Sequence, residues 1–91
     1  MDSHDAVIAI DEHRVRIDEI DRKIVPLLNA RAEMSLAIRA LKPGAQMALY
    51  DPKREEEIFE RVALCNAGPL FNDDLKAIYE VILKVSKEMP S

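Results

Sequence analysis

Three basic side chains fall where the helical pattern of this sequence would otherwise place apolar residues. At ~100° per residue from Ile24, Arg31 and Lys42 lie within about 20° of the centre of an apolar stripe. Arg54 occupies the inner face of a second predicted helix, four residues before Ile58. A buried cation without a counter-ion is strongly destabilising. We therefore expect these side chains to bind a small molecule that carries two or three negative charges.

Further polar residues lie on or beside the same stripes. Arg14 lies at the border of the first stripe, and Ser86 lies within the stripe of a third predicted helix. Glu55 is the acid predicted on the inner faces, which leaves the cations in excess. In the alternative interpretation, the basic groups reach solvent at the edge of the core or pair with Glu55 and Asp51.

The predicted stripes contain no histidine and no pair of acids, so they offer no proton relay or metal-ligand cluster. We expect His4 and His13 to face solvent and Cys65 to be a core residue rather than a nucleophile. Catalysis would then depend on holding the substrate in a reactive conformation and placing cations where negative charge develops. Neither a metal nor a cofactor is expected.

The apolar spacing predicts an all-α fold of three unequal helices. Pro43 and Gly44 end the first helix, whereas Asp51 and Pro52 supply the N-cap and first residue of the second. Asn72 or Asp73 is expected to cap the third. The predicted bounds are about 7–41, 52–66 and 72–89. Residues 1–6 show no periodicity and are expected to be disordered.

The length of 91 residues and the 48% apolar content predict one small domain, residues 1–91. A first helix of about 35 residues would be roughly 50 Å long, more than the span of a compact globule of this size. Pro26 falls opposite the stripe, so we expect one gently bent helix rather than two. A second copy of the chain would cover its exposed half, which predicts a homodimer.

Composition excludes several classes of function. The net charge of −4 disfavours non-specific binding to nucleic acid. No apolar run is long enough for a membrane span, and no signal sequence opens the chain. A single cysteine cannot form an internal disulfide, so a cytoplasmic location is expected.

Several motifs combine these residues in a fixed order. Arg14 is followed by the segment Leu27-Leu28-Asn29-Ala30-Arg31, then by Lys42, and then by Tyr50-Asp51-Pro52-Lys53-Arg54-Glu55. In order and spacing, the motifs resemble the all-helical chorismate mutases over about residues 10–89, including the mutase domains associated with the first enzyme of the shikimate pathway. The resemblance implies an intertwined homodimer without a cofactor. It also implies the Claisen rearrangement of chorismate to prephenate in aromatic amino-acid biosynthesis.

The resemblance also implies a role for each matching residue. Arg31, together with Arg14 of the partner subunit, would bind the substrate carboxylates. Lys42 would bind a carboxylate and the ether oxygen, which gains negative charge as its C–O bond breaks. The implied catalytic residues are Arg14, Arg31, Lys42 and Glu55, and the other implied substrate-binding residues are Asp51, Arg54 and Ser86. Among these, Asp51 and Glu55 would address the ring hydroxyl.

One position departs from the family pattern. The chorismate mutases usually place Gln, or sometimes Glu, four residues after the serine of the third helix, where this chain has Pro90. Glu88 could substitute for that side chain, or a partner protein could order the C-terminal end. Pro90 therefore keeps open a non-catalytic or weakly active domain that regulates a shikimate-pathway enzyme. An isochorismate pyruvate lyase also stays open, because that class resembles the mutases in pocket chemistry, although Tyr50-Asp51-Pro52 before Arg54 favours the mutase.

Overall fold

The computed structural model describes residues 2–90 and contains three helices. They are α1 (Ser3–Leu41), α2 (Pro52–Cys65) and α3 (Asn72–Glu88). No strand occurs between residues 2 and 90, so the predicted all-α fold of one long and two shorter helices is confirmed. The chain forms two compact units, Met1–Met34 and Ser35–Ser91. A single domain over residues 1–91 remains a prediction.

The first helix begins earlier than its apolar periodicity predicts. A side-chain oxygen of Asp2 accepts a 2.9 Å hydrogen bond from the main-chain N–H of Asp5, as an N-cap residue does. Residues 3–6, expected to be disordered, therefore belong to α1, whereas Met1 lies outside the described residues. The capping signal is polar, so a search for apolar spacing misses it. As expected, the helix continues through Pro26.

The N-terminal unit leaves its apolar stripe uncovered. None of the described residues of α1 is buried. The stripe residues include these exposed side chains: Ile10, Ile17, Ile20, Ile24, Leu27 and Leu28. Isolated helices are marginally stable in water, and an amphipathic helix is normally stabilised by packing of its apolar face. Despite this apolar surface, none of the described helices has the length and apolar character that crossing a bilayer requires.

In the C-terminal unit, α2 packs against α3. Leu83 of α3 is buried, with 8% of its surface exposed. The start of α2 is as predicted, since Oδ1 of Asp51 accepts a 3.0 Å hydrogen bond from the main-chain N–H of Arg54, and Pro52 is the first helical residue. The core position expected for Cys65 is wrong: this residue ends α2 and is exposed.

The residue that caps α3 lies one position before the predicted one. This N-cap is Phe71 rather than Asn72 or Asp73. Because phenylalanine has no capping oxygen, the carboxylate of Asp74 instead accepts a 3.0 Å hydrogen bond from the main-chain N–H of Phe71. The amide oxygen of Asn72 accepts a 2.8 Å bond from the side chain of Asn66 and so belongs to the connection between the helices.

Candidate active site

Lys42 lies directly after α1 and is half-buried. Its Nζ donates a 2.8 Å hydrogen bond to the carbonyl oxygen of Leu49, just before the start of α2. The main-chain N–H of Met47 donates a 3.0 Å bond to the Lys42 carbonyl, which closes the turn. An ammonium group has three donors. Lys42 is therefore anchored to the α1–α2 connection while retaining the capacity to bind an anion.

Arg54 differs from its predicted orientation. Its side chain is 51% exposed, and Nη1 lies 3.6 Å from a carboxylate oxygen of Glu57. The inward-facing position predicted for Arg54 is therefore wrong for the single chain, because the long side chain reaches an acid on the outer surface of α2. Surface pairs one turn apart are weak, so an incoming anion could displace Glu57 at little cost.

Glu55 is held by a lysine of α3. Its side chain is 22% exposed, and its two carboxylate oxygens lie 2.8 Å and 3.1 Å from Nζ of Lys87. The same ammonium group lies 4.7 Å from the ring centroid of Tyr50. Nothing in the periodicity predicts Lys87, because it lies about 140° from Ile82 on α3, well outside the apolar stripe.

Ser86 is half-buried in the last turns of α3, where an arginine of α1 binds the main chain. The guanidinium of Arg39 donates hydrogen bonds to the carbonyl oxygens of Ser86, Lys87 at 3.3 Å and Met89 at 2.6 Å. The last carbonyls of a helix lack intrahelical partners and carry partial negative charge, so a cation there is favourable. Arg39 therefore ties the end of α3 to α1 at a point one turn before Lys42.

Arg14 and Arg31 both belong to the N-terminal unit. Arg14 is exposed, with Nη1 3.8 Å from a carboxylate oxygen of Asp11, whereas Arg31 is half-buried. The two arginines are 17 residues apart on α1, a distance of about 25 Å along a helix axis. One copy of this helix therefore cannot bring both guanidinium groups to one small substrate.

Residues 13–90 match the family model for chorismate mutase type II. The chain belongs to the chorismate mutase type II family. The matched segment contains every site residue predicted from the sequence, from Arg14 to Ser86. The individual roles of those residues within this mutase fold remain predictions.

Known chorismate mutases resemble the chain in sequence and in structure. The bifunctional chorismate mutase/prephenate dehydratase of Aquifex aeolicus is 40% identical in an alignment of 78 positions that covers 81% of this chain and 22% of that protein. The chain spans about a fifth of the length of the bifunctional relatives that it matches.

Two solved structures show the same fold. Form II of the chorismate mutase from Thermus thermophilus is 30% identical, with a TM-score of 0.84 over 89% of this chain and 92% of the other. Chorismate mutase of Helicobacter pylori, solved in complex with prephenate, is 29% identical, with a TM-score of 0.76 over 90% of this chain and 98% of the other.

The end of α3 differs from what the resemblance to the chorismate mutases implies. The helix stops at Glu88, and Met89 has φ −63° and ψ 134°. Extended backbone is the favoured conformation for a residue that precedes proline. Pro90 brings neither an N–H nor a polar side chain to the position where the resemblance implies Gln or Glu. Glu88, the nearest acid, is exposed.

Proposed function

We propose that the chain is a chorismate mutase, an isomerase that converts chorismate into prephenate in the cytoplasm as part of phenylalanine and tyrosine biosynthesis. The family match over residues 13–90, which contains the complete set of predicted cations, carries this proposal. The reaction breaks one C–O bond and forms one C–C bond within the same molecule. It needs no proton donor, oxidant or cofactor, which suits a site built from cations and apolar residues.

In the proposed mechanism, cations select and fold the substrate. Arg31 binds one carboxylate, with Arg14 of the partner subunit completing the recognition of the dianion. Guanidinium groups suit this task because their donors match the two oxygens of a carboxylate. The bound conformation brings the two reacting carbons together, which lowers the entropic part of the barrier. Lys42 stabilises the ether oxygen as negative charge develops on it.

The remaining proposed residues orient the ring. Glu55 accepts a hydrogen bond from the ring hydroxyl, and Asp51 contributes through its backbone, since one oxygen of its side chain caps α2. Arg54 adds positive charge at the start of α2, where the helix dipole also favours anions. Ser86 lines the pocket from α3.

We also propose that two chains intertwine as a homodimer, with one active site built largely from each chain. The uncovered apolar stripe of α1 supports this arrangement, because burying one large apolar side chain contributes about 1.5–3 kcal/mol. The separation of about 25 Å between Arg14 and Arg31 along the helix supports it independently. A second copy running alongside α1 could supply Arg14 to a distant Arg31.

Two other functions predict different outcomes with chorismate and isochorismate. A pyruvate lyase would act on isochorismate and release pyruvate. A regulatory domain would bind chorismate or prephenate without turnover, an interpretation that Pro90 favours because the usual side-chain donor is missing. The bifunctional relatives support a partnership with a second enzyme of aromatic biosynthesis, here proposed to belong to the shikimate pathway.

The purified chain, incubated with chorismate, should consume it and form an equal amount of prephenate. Turnover would be followed by chorismate absorbance, with prephenate and pyruvate quantified separately, and a parallel incubation would use isochorismate. Prephenate without pyruvate supports the mutase. Pyruvate release from isochorismate would instead identify a lyase, and binding without any product would identify a regulatory domain.

A further inference from the structure

Lys87 and Glu55 form the closest ion pair between α2 and α3 among the described residues. Nζ lies 2.8 Å from one carboxylate oxygen of Glu55 and 3.1 Å from the other. Glu55 is the better buried partner, with a side chain 22% exposed, compared with 51% for Lys87. Glu55, the more enclosed of the two side chains, is therefore paired with a cation before any ligand binds.

The ammonium group of Lys87 is fixed by more than this ion pair. It lies 4.7 Å from the ring centroid of Tyr50, within the range of a cation–π interaction. The main-chain carbonyls of Ser86 and Lys87 accept hydrogen bonds from Arg39, which holds the backbone that carries the lysine. Lys87 is thus positioned at both ends, by its backbone and by its charged group.

A carboxylate creates a problem in a site for a dianion. If Glu55 binds the ring hydroxyl, its negative charge repels both carboxylates of the substrate. The positive charge of Lys87, paired with the acid, opposes that repulsion. A carboxylate has about four lone-pair positions, so the contacts with Lys87 leave acceptor capacity for a hydroxyl.

We propose that Lys87 is a positioning residue, which neutralises and orients Glu55 so that this acid can bind the substrate hydroxyl without repelling the dianion. The inference rests on the proposed mutase function. It assigns Lys87 no direct contact with the reacting atoms. The effect of Lys87 on substrate binding should therefore disappear when Glu55 carries no charge. A cation that binds substrate directly, or a bond that only stabilises the fold, would keep its effect in that variant.

The test compares Lys87→Met in the natural chain and in a chain that also carries Glu55→Gln. Methionine keeps much of the aliphatic length beside Tyr50 and removes the charge. In the natural chain, Lys87→Met should raise the KM for chorismate about tenfold, with a smaller effect on kcat. In the Glu55→Gln chain, Lys87→Met should change KM by less than about twofold relative to Glu55→Gln alone. Lys87→Arg should restore most of the natural affinity.

Lys84→Met is the matched control, since Lys84 is an exposed lysine of α3 one turn before Lys87. It should leave KM and kcat unchanged, and melting curves should show that all variants are folded. An unchanged KM for folded Lys87→Met would contradict the inference. An equal rise of KM in the natural chain and in the Glu55→Gln chain would also contradict it. If Lys87→Met does not fold, Lys87→Gln replaces it. The KM of Lys87→Gln should then exceed that of Lys87→Arg in the natural chain but not in the Glu55→Gln chain.

A failure of the proposed function and a failure of this inference alone give different results. Chorismate binding by calorimetry and turnover are first measured for the natural chain. If the natural chain neither binds nor converts chorismate, the mutase proposal is contradicted, together with the role of Lys87 that depends on it. Normal turnover with a KM that is insensitive to Lys87 contradicts the role of Lys87 alone.

Discussion

The guanidinium of Arg39, in the last turn of α1, donates a 2.6 Å hydrogen bond to the main-chain carbonyl oxygen of Met89, just beyond α3. It also binds the carbonyls of Ser86 and Lys87. Pro90 prevents the helix from continuing, so these carbonyls need a donor from elsewhere in the chain. Arg39 supplies it from the element that also leads to Lys42.

Arg39→Ala should lower the free energy of unfolding by about 1–3 kcal/mol, because part-buried carbonyls at the end of α3 lose their donor. Urea denaturation of the purified protein measures this change. Arg61→Ala, which removes an exposed arginine of α2, should change stability by less than about 0.5 kcal/mol. Equal stabilities of the two variants would show that the contacts of Arg39 contribute nothing.

Arg31→Ala should reduce kcat/KM for chorismate by about a hundredfold or more, because the substrate loses a charge-assisted contact with its carboxylate. The helical circular dichroism signal should persist. Arg22→Ala, on the same helix at an exposed position, is the control and should retain normal activity. If Arg31→Ala unfolds the protein while activity per folded molecule is unchanged, Arg31 has a structural role instead.

Ile20→Lys should shift the protein from dimer to monomer and reduce its helical signal at micromolar concentration. Ile20 is 55% exposed within one chain, and a charge there could not be buried against a second copy. Analytical ultracentrifugation measures the assembly. Glu19→Lys places the same side chain on a different face of the helix and should leave the dimer intact. A folded monomer formed by the natural chain would contradict the predicted dimer.

Pro90→Gln should raise kcat by about tenfold to a hundredfold by restoring a donor near the developing charge on the ether oxygen. Pro90→Ala relieves the same backbone restriction without supplying a side-chain donor and serves as the control. The two variants are compared at saturating chorismate. Equal kcat values would show that the missing family side chain does not limit turnover.

Much of the fold follows from local sequence signals. The apolar spacing gives three helices, and Asp51 with Pro52 gives the start of α2 to the residue. The starts of α1 and α3 depend instead on polar side chains that reach main-chain N–H groups, Asp2 to Asp5 and Asp74 to Phe71. Apolar periodicity contains no information about such bonds, so it misses the first turn of α1 and the capping residue of α3.

The candidate site is predictable only where its residues lie in apolar stripes. Arg31 and Lys42 interrupt a stripe and are half-buried in the structure. Arg39 and Lys87 lie beside or outside the stripes, and their partners are about 50 and 32 positions away in the chain. Contacts of this kind depend on how helices pack, which the spacing of one helix does not determine.

In the proposed dimer, Arg31 of one chain and Arg14 of another complete one site for a dianionic substrate. We therefore propose mixing Arg14→Ala and Arg31→Ala chains, unfolding and refolding them together, and measuring prephenate formation. Each variant alone should be nearly inactive. Random pairing gives about half mixed dimers, each with one intact site, so the mixture should recover about a quarter of natural activity. Activity no higher than the mean of the two separate variants would contradict the claim.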